Sequence, residues 1–361
     1  MKASFPYMGS SHIAFRYLME NLGFEVVMPP NPTQKTLTYG VRYSPEFACV
    51  PFKVLMGTYI EVLEMGAELL ISSGGIGPCR AGFYGVLHEK ILEDLGYKFK
   101  LIILDPPIAD PKLFYNNISF LKPAKMRWGR FLKIVRTAYS KLVVLDRLEM
   151  LVAETRAYET SKGAVTKAFN TAKTWVDAAK TEKEIISAEE EGKKLITSVP
   201  QDRSRNPLRI GIIGEIYVVI EPFMNLDIER RLGEMGVLTH RSIYITTFTK
   251  NTIWDRKAED HIKEAAKPYL KLMIGGHGIN SIGETVLYGQ NNYDGVVQVA
   301  PFTCIPEIVA RSILPKVSED YDIPVLSLNI DEQTAETGIQ TRLEAFLDLL
   351  WEKRRAMEEC S

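Results

Sequence analysis

The feature that most constrains this chain is a repeated alternation of short apolar runs with amphipathic helical stretches. KASFPYM (2–8), GFEVVMP (23–29), ELLISS (68–73) and KFKLIILD (98–105) read as strands. The stretches 11–21, 51–67 and 80–95 between them carry helical spacing. Strands joined through helices pair in parallel, so the pattern predicts an open, doubly wound sheet. It returns after residue 207: LRIGIIG (208–214), GVLTHRS (236–242), GVVQVAP (295–301) and IPVLSLNID (323–331) read as strands. Helices are expected there over about 223–235, 260–270 and 305–317, and to about residue 357. The expected fold is α/β, with two open, mostly parallel Rossmann-like (flavodoxin-like) sheets.

Between the two halves the pattern changes. Residues 106–124 are rich in Pro and Asn and mark a boundary. Residues 125–198 read as helical, and TEKEIISAEEEGKKLITS (181–198) reads as a solvated helix face. QDRSRNP (201–207) is a polar linker. The expected organisation is an N-terminal α/β domain over 1–122, a helical segment and linker over 123–206, and a C-terminal α/β domain over 207–361. No close internal sequence repeat connects the halves.

A chain of 361 residues with net charge −1 gives no electrostatic argument for nucleic acid or an anionic membrane surface. Its apolar runs are shorter than the roughly 18 residues of a membrane span. The start, MKASFPYMGSSHIAFRYL, lacks the apolar region of a signal peptide. The expectation is a cytoplasmic protein that binds neither nucleic acid nor membrane.

The four cysteines are Cys49, Cys79, Cys304 and Cys360, with no CxxC pair. That spacing excludes a zinc ribbon and a local ferredoxin-type loop. Any shared site has to be assembled by the fold. Cys79 follows ELLISS through Gly74, Gly75 and Gly77, and Cys304 follows GVVQVAPFT. Both thus sit beyond the carboxyl end of an expected strand, where α/β sheets bind ligands. Cys49 precedes the helix PFKVLMG. A proline neighbours each one closely (Pro51, Pro78, Pro306), as suits a first helical turn. A helix start favours thiolate, the form that binds metal. Two readings stand on the residues alone: a shared thiol site, or three inert core cysteines.

The segments ACVPFK, SGGIGPCRAGFY and PFTCIPEIVARSILPKVSEDYDIPVLSLNIDEQTAETGIQTRLEAFLDLL resemble the 2-hydroxyacyl-CoA dehydratase superfamily. The resemblance is closest to its branch of activase-related and double-cubane cluster proteins, and it runs over most of the chain. It implies an iron–sulfur cluster held by Cys49, Cys79 and Cys304. The cluster is a 4Fe–4S unit with one iron lacking a protein thiolate, or two such units paired as a double cubane (8Fe–9S). It implies an oxygen-sensitive electron-transfer protein or oxidoreductase, a homodimer, with a small-molecule substrate. Its partner is a separate ATP-hydrolysing activase that delivers low-potential electrons. This chain has no GxxxxGK phosphate loop, in keeping with ATP being hydrolysed by a partner. Three alternatives remain: an (R)-2-hydroxyacyl-CoA dehydratase subunit, a non-enzymatic cluster carrier or scaffold, and a structural zinc site using His277 as fourth ligand.

Other candidates are fewer. Glu215 and Tyr217 follow the strand LRIGIIG and read as proton carriers or as a helix cap. His277, between glycines after the apolar KLMI, reads as a strand-end proton donor or a plain loop residue. Gly75 and Gly77 would let backbone approach a cluster, and Arg80 would face its charge or form a surface ion pair. Tyr7, Ser10, Ser11 and His12 follow the first strand. Cys360 is assigned no role.

Overall fold

The computed structural model describes residues 1–74, 79–105, 107, 110–253 and 257–359. They divide into two compact units, one of residues 1–145 with 176–186 and one of 146–175 with 187–361. The helices expected over 123–206 are therefore distributed between both. Trp128–Arg156, Ala164–Ala178 and Glu182–Thr197 each contribute residues to the two.

The first unit holds a four-stranded sheet of β1 (Lys2–Ser4), β2 (Glu25–Val26), β3 (Leu69–Ser72) and β4 (Lys100–Ile103). The second holds β5 (Arg209–Gly214), β6 (Leu238–Arg241), β7 (Gly295–Pro301) and β8 (Val325–Ile330). The strand orders are β2-β1-β3-β4 and β6-β5-β7-β8, and every pairing is parallel. The α/β expectation holds, and both sheets follow the start of the flavodoxin-like order. In each, the chain reverses its winding between the first strand and the third. The crevice beyond the carboxyl ends of that central pair is where such sheets take ligands.

The helix before the third strand is fixed by close backbone contact in both units. Val50–Glu64 is buried along all but its last residue, so it is hydrophobic on every side. It crosses Gln34–Tyr43 at two glycines. A Cβ on Gly57 would meet the Thr36 carbonyl oxygen at 1.8 Å, and one on Gly40 would meet that of Lys53 at 1.8 Å. In the second unit Gly278–Gln290 crosses Asp260–Ala266, where a Cβ on Gly283 would meet the Ile262 carbonyl oxygen at 2.1 Å. The first core is closed by Ala3, Phe5, Met19, Leu69, Ile102 and Phe131. Each large side chain so buried contributes roughly 1.5–3 kcal/mol.

The structure corrects two expectations and adds elements that none foresaw. The segment 106–124, rich in Pro and Asn, also holds a helix, Pro111–Leu121, capped by Asp110, whose carboxylate accepts from the Leu113 N–H at 2.8 Å. The helix expected over 223–235 is split into Pro222–Asn225 and Ile228–Glu234, because Leu226 and Asp227 take left-handed φ values of 55° and 60°. Residues 271–274 are not a strand, so His277 is not at a strand end. The helices Gln34–Tyr43, Ile245–Ile253 and Gly278–Gln290 were absent from the sequence reading.

Overpacking the Gly40 crossing should cost about 1–3 kcal/mol. Gly40→Ala is expected to lower the urea midpoint by that measure. Gly338→Ala, which meets nothing within 4 Å in the helix Glu336–Glu359, should leave the midpoint unchanged or raise it.

Candidate functional site

Each of the three cysteines is the N-cap residue of a helix, with extended backbone. Cys49 caps Val50–Glu64, Cys79 caps the short 3-10 turn Arg80–Phe83 that leads into Tyr84–Asp94, and Cys304 caps Ile305–Asp320. Proline at the second helical position, Pro51 and Pro306, withholds no needed donor. Cys79 follows β3 and Cys304 follows β7, the corresponding strands of the two sheets. Cys49 and Cys304 are 8% and 7% exposed, while Cys79 is half-buried. An N-cap position lies beside the unpaired N–H groups of the first turn, which favour a negative sulfur.

The starts of the two cysteine-bearing helices of the first unit are tied together. The Cys49 thiol and the Tyr84 hydroxyl form a short hydrogen bond. Arg80 donates from Nη1 to the Phe47 carbonyl at 2.7 Å, linking the turn after Cys79 to the loop before Cys49. Tyr84 packs edge-on against Phe52 at 5.2 Å, and Phe52 stacks on the buried His88 at 3.9 Å. Tyr84 is a partner that sequence reading missed. Its only sequence signal is its place five residues after Cys79. Gly75 and Gly77 lie outside the described residues, as does Cys360.

The second unit repeats the device with one change of residue. The helix directly before β7 is Gly278–Gln290, and its N-cap is His277. His277 thus occupies the topological place that Cys49 holds in the first unit. Gly278 lies against the Pro306 carbonyl oxygen, which a Cβ there would meet at 2.3 Å, so the helix starts of His277 and Cys304 adjoin. Burial favours the neutral form of the His277 imidazole. The chain reaches Cys304 through Thr303, whose φ of 68° is a strained conformation for a β-branched residue.

Beyond β5, Glu215 caps Ile216–Ile220 by accepting from the Val218 N–H at 3.0 Å. Burial pushes its carboxyl up to about 7. Tyr217 is buried in the same turn. Glu307, in the first turn after Cys304, is fully buried and accepts from Ser281 Oγ at 3.0 Å and Gln298 Nε2 at 2.8 Å. Burial also pushes Glu307 up to about 7. It is a second carboxyl at this switch point that sequence reading passed over. In the first unit the loop after β1 places Tyr7 stacked on His12 at 4.9 Å. Ser11 there donates to the Met8 carbonyl at 2.6 Å.

Large apolar side chains stand in solvent around the cysteines. Phe47 and Phe83 are 75% and 71% exposed near Cys49 and Cys79, and Phe302 is 58% exposed near Cys304, with Ile305 and Ile308 beside it. Among the described residues no three His, Cys, Asp or Glu side chains stand close enough together to hold one metal ion. The structure brings Cys49 and Cys79 onto tied helix starts in one unit and places Cys304 in the other. Among the described residues, no helix is long and apolar enough to cross a membrane. No family model matches the chain, and no curated protein matches it.

Glu307 makes one consequence measurable. Its carboxyl loses its proton near 4.5 in the unfolded chain and near 7 in the fold. Between those values the folded state holds the extra proton, so stability falls as pH rises and the loss is complete above about 7. Glu307→Gln is expected to flatten the decline in urea midpoint between pH 5 and 8. An unchanged slope would remove Glu307 as its source.

Proposed function

We propose that this chain is an iron–sulfur redox protein with Cys49, Cys79 and Cys304 as its thiolate ligands. The observation that carries the reading is that all three described cysteines cap helix N-termini, two of them after corresponding strands of the two sheets. The donor set suits the group: soft sulfur ligands, held where N–H groups stabilise negative charge, are what iron–sulfur units take. When bound, such a cluster passes low-potential electrons singly and offers a small molecule an iron free of protein thiolate.

The chain's own residues supply the rest. With Cys49 as a thiolate, the Tyr84 hydroxyl would be the donor of the hydrogen bond they share, and such hydrogen bonds raise a cluster's potential. Arg80 holds the two cysteine turns of the first unit together. Glu215 and Glu307, each near half-protonated at neutral pH, can hold and release protons at the carboxyl ends of β5 and β7. Phe47, Phe83, Phe302 and Ile305 give a partner an apolar contact. That partner, in this reading, is an ATP-hydrolysing activase acting on a cytoplasmic homodimer, as the resemblance to the dehydratase superfamily implies.

Anaerobic purification followed by iron and acid-labile sulfide analysis tests the reading. A brown protein with about four irons and four sulfides per chain is expected, or about eight irons and nine sulfides per pair of chains for a double cubane. Single Cys→Ser changes at 49, 79 and 304 should each reduce iron content, with Cys360→Ser leaving it unchanged. A colourless protein with intact thiols would sink the proposal.

A further inference from the structure

We propose that a cavity in the second unit, walled by Glu284, Glu259, His277, Asn280, Ser242 and Tyr244, binds the ammonium group of a small primary amine. This does not rest on the iron–sulfur reading. The cavity measures about 30 Å³. A single water needs roughly 10–15 Å³ on that measure, so the space admits an ammonium head and little more.

Glu284 is the centre of the argument. It is 4% exposed, in the helix Gly278–Gln290. The Ser242 hydroxyl donates to its Oε1 through a short hydrogen bond. Its other oxygen, Oε2, is buried and meets no donor among the described residues. Buried polar atoms in native proteins are satisfied, so an unsatisfied one lining a cavity points to a donor supplied from outside the chain.

Charge says what kind of donor. The cavity wall carries two carboxyls and, among its described residues, no lysine or arginine. Burial first, then repulsion from Glu259 and Glu307, holds the Glu284 carboxyl protonated up to about 8. Lys263 reaches Glu259 at 3.9 Å along its own helix. Burial keeps His277 neutral. An ammonium group entering beside Oε2 displaces the Glu284 proton to solvent and pairs with the carboxylate left behind, so binding is expected to strengthen as pH rises through about 8. Among the described residues, Glu259, His277 and Glu284 do not converge on one point as metal ligands would. An ammonium group needs no such convergence. It donates three hydrogen bonds in different directions, which suits Glu284 Oε2 and the Asn280 amide oxygen.

The test is equilibrium dialysis of the full chain against radiolabelled methylammonium at fixed ionic strength, with potassium and tetramethylammonium as competitors. Saturable one-site binding is expected. Tetramethylammonium, which is too large and has no N–H, and potassium at equal concentration should leave it in place. Glu284→Gln should weaken binding about tenfold or more, because a charge-assisted hydrogen bond is lost. The competition uses unaltered protein, so it decides the matter even where the variant folds poorly. Absent saturation, equal displacement by potassium, or binding that survives in a folded Glu284→Gln would each overturn the proposal.

Discussion

Parallel pairing of the central strands is the constraint on which the rest of this structure depends. β1 pairs with β3 and β5 with β7 in the same direction, so the chain must return to the opposite edge before each new strand. It returns through helices, and a helix that follows a strand begins at the sheet's carboxyl edge. That edge collects unpaired N–H groups and their partial positive charge. Residues placed at those helix starts acquire chemical character from position alone. Cys49, Cys79 and Cys304 sit there, and so do Glu215 and His277.

The two units answer this constraint in the same way. In each, the helix before the third strand is crossed at a glycine where backbone meets backbone. In each, that helix and the one after the strand begin side by side. One unit fills the two starts with Cys49 and Cys79, the other with His277 and Cys304. The duplication lies in topology and in positions, with no repeat of sequence to announce it. It yields three sulfurs and one imidazole. His277, with neighbouring Asn280 and buried Glu284, lines a cavity of the second unit.

Much of the fold was legible because a buried parallel strand is an apolar run that neighbouring polar residues cannot disguise. ELLISS and GVVQVAP fell within a residue or two of β3 and β7. The helix starts at the cysteines were legible through Pro51 and Pro306. What escaped notice had weaker local signals. Gln34–Tyr43 is amphipathic but ends without glycine and crosses its neighbour through Gly40, a residue that argues against helix when read alone. The break at Leu226 and Asp227 is held by packing and by the Asn225 side chain, which donates to the Val218 and Val219 carbonyls at 2.8 and 3.0 Å. Tyr84 beside Cys49 and Gln298 beside Glu307 are contacts between distant positions, and spacing carries no trace of them.

The central claim is that three thiolates, and no fourth, hold an iron–sulfur unit. Mössbauer spectroscopy of protein reconstituted with iron-57 under nitrogen tests it most directly. In a four-iron unit the account predicts three irons with thiolate parameters and one distinct iron, whose signal shifts when a small exogenous ligand such as cyanide is added. In a double cubane the same distinction appears as a minority site bridged by sulfide. Four equivalent thiolate-ligated irons, or iron without sulfide, would contradict it.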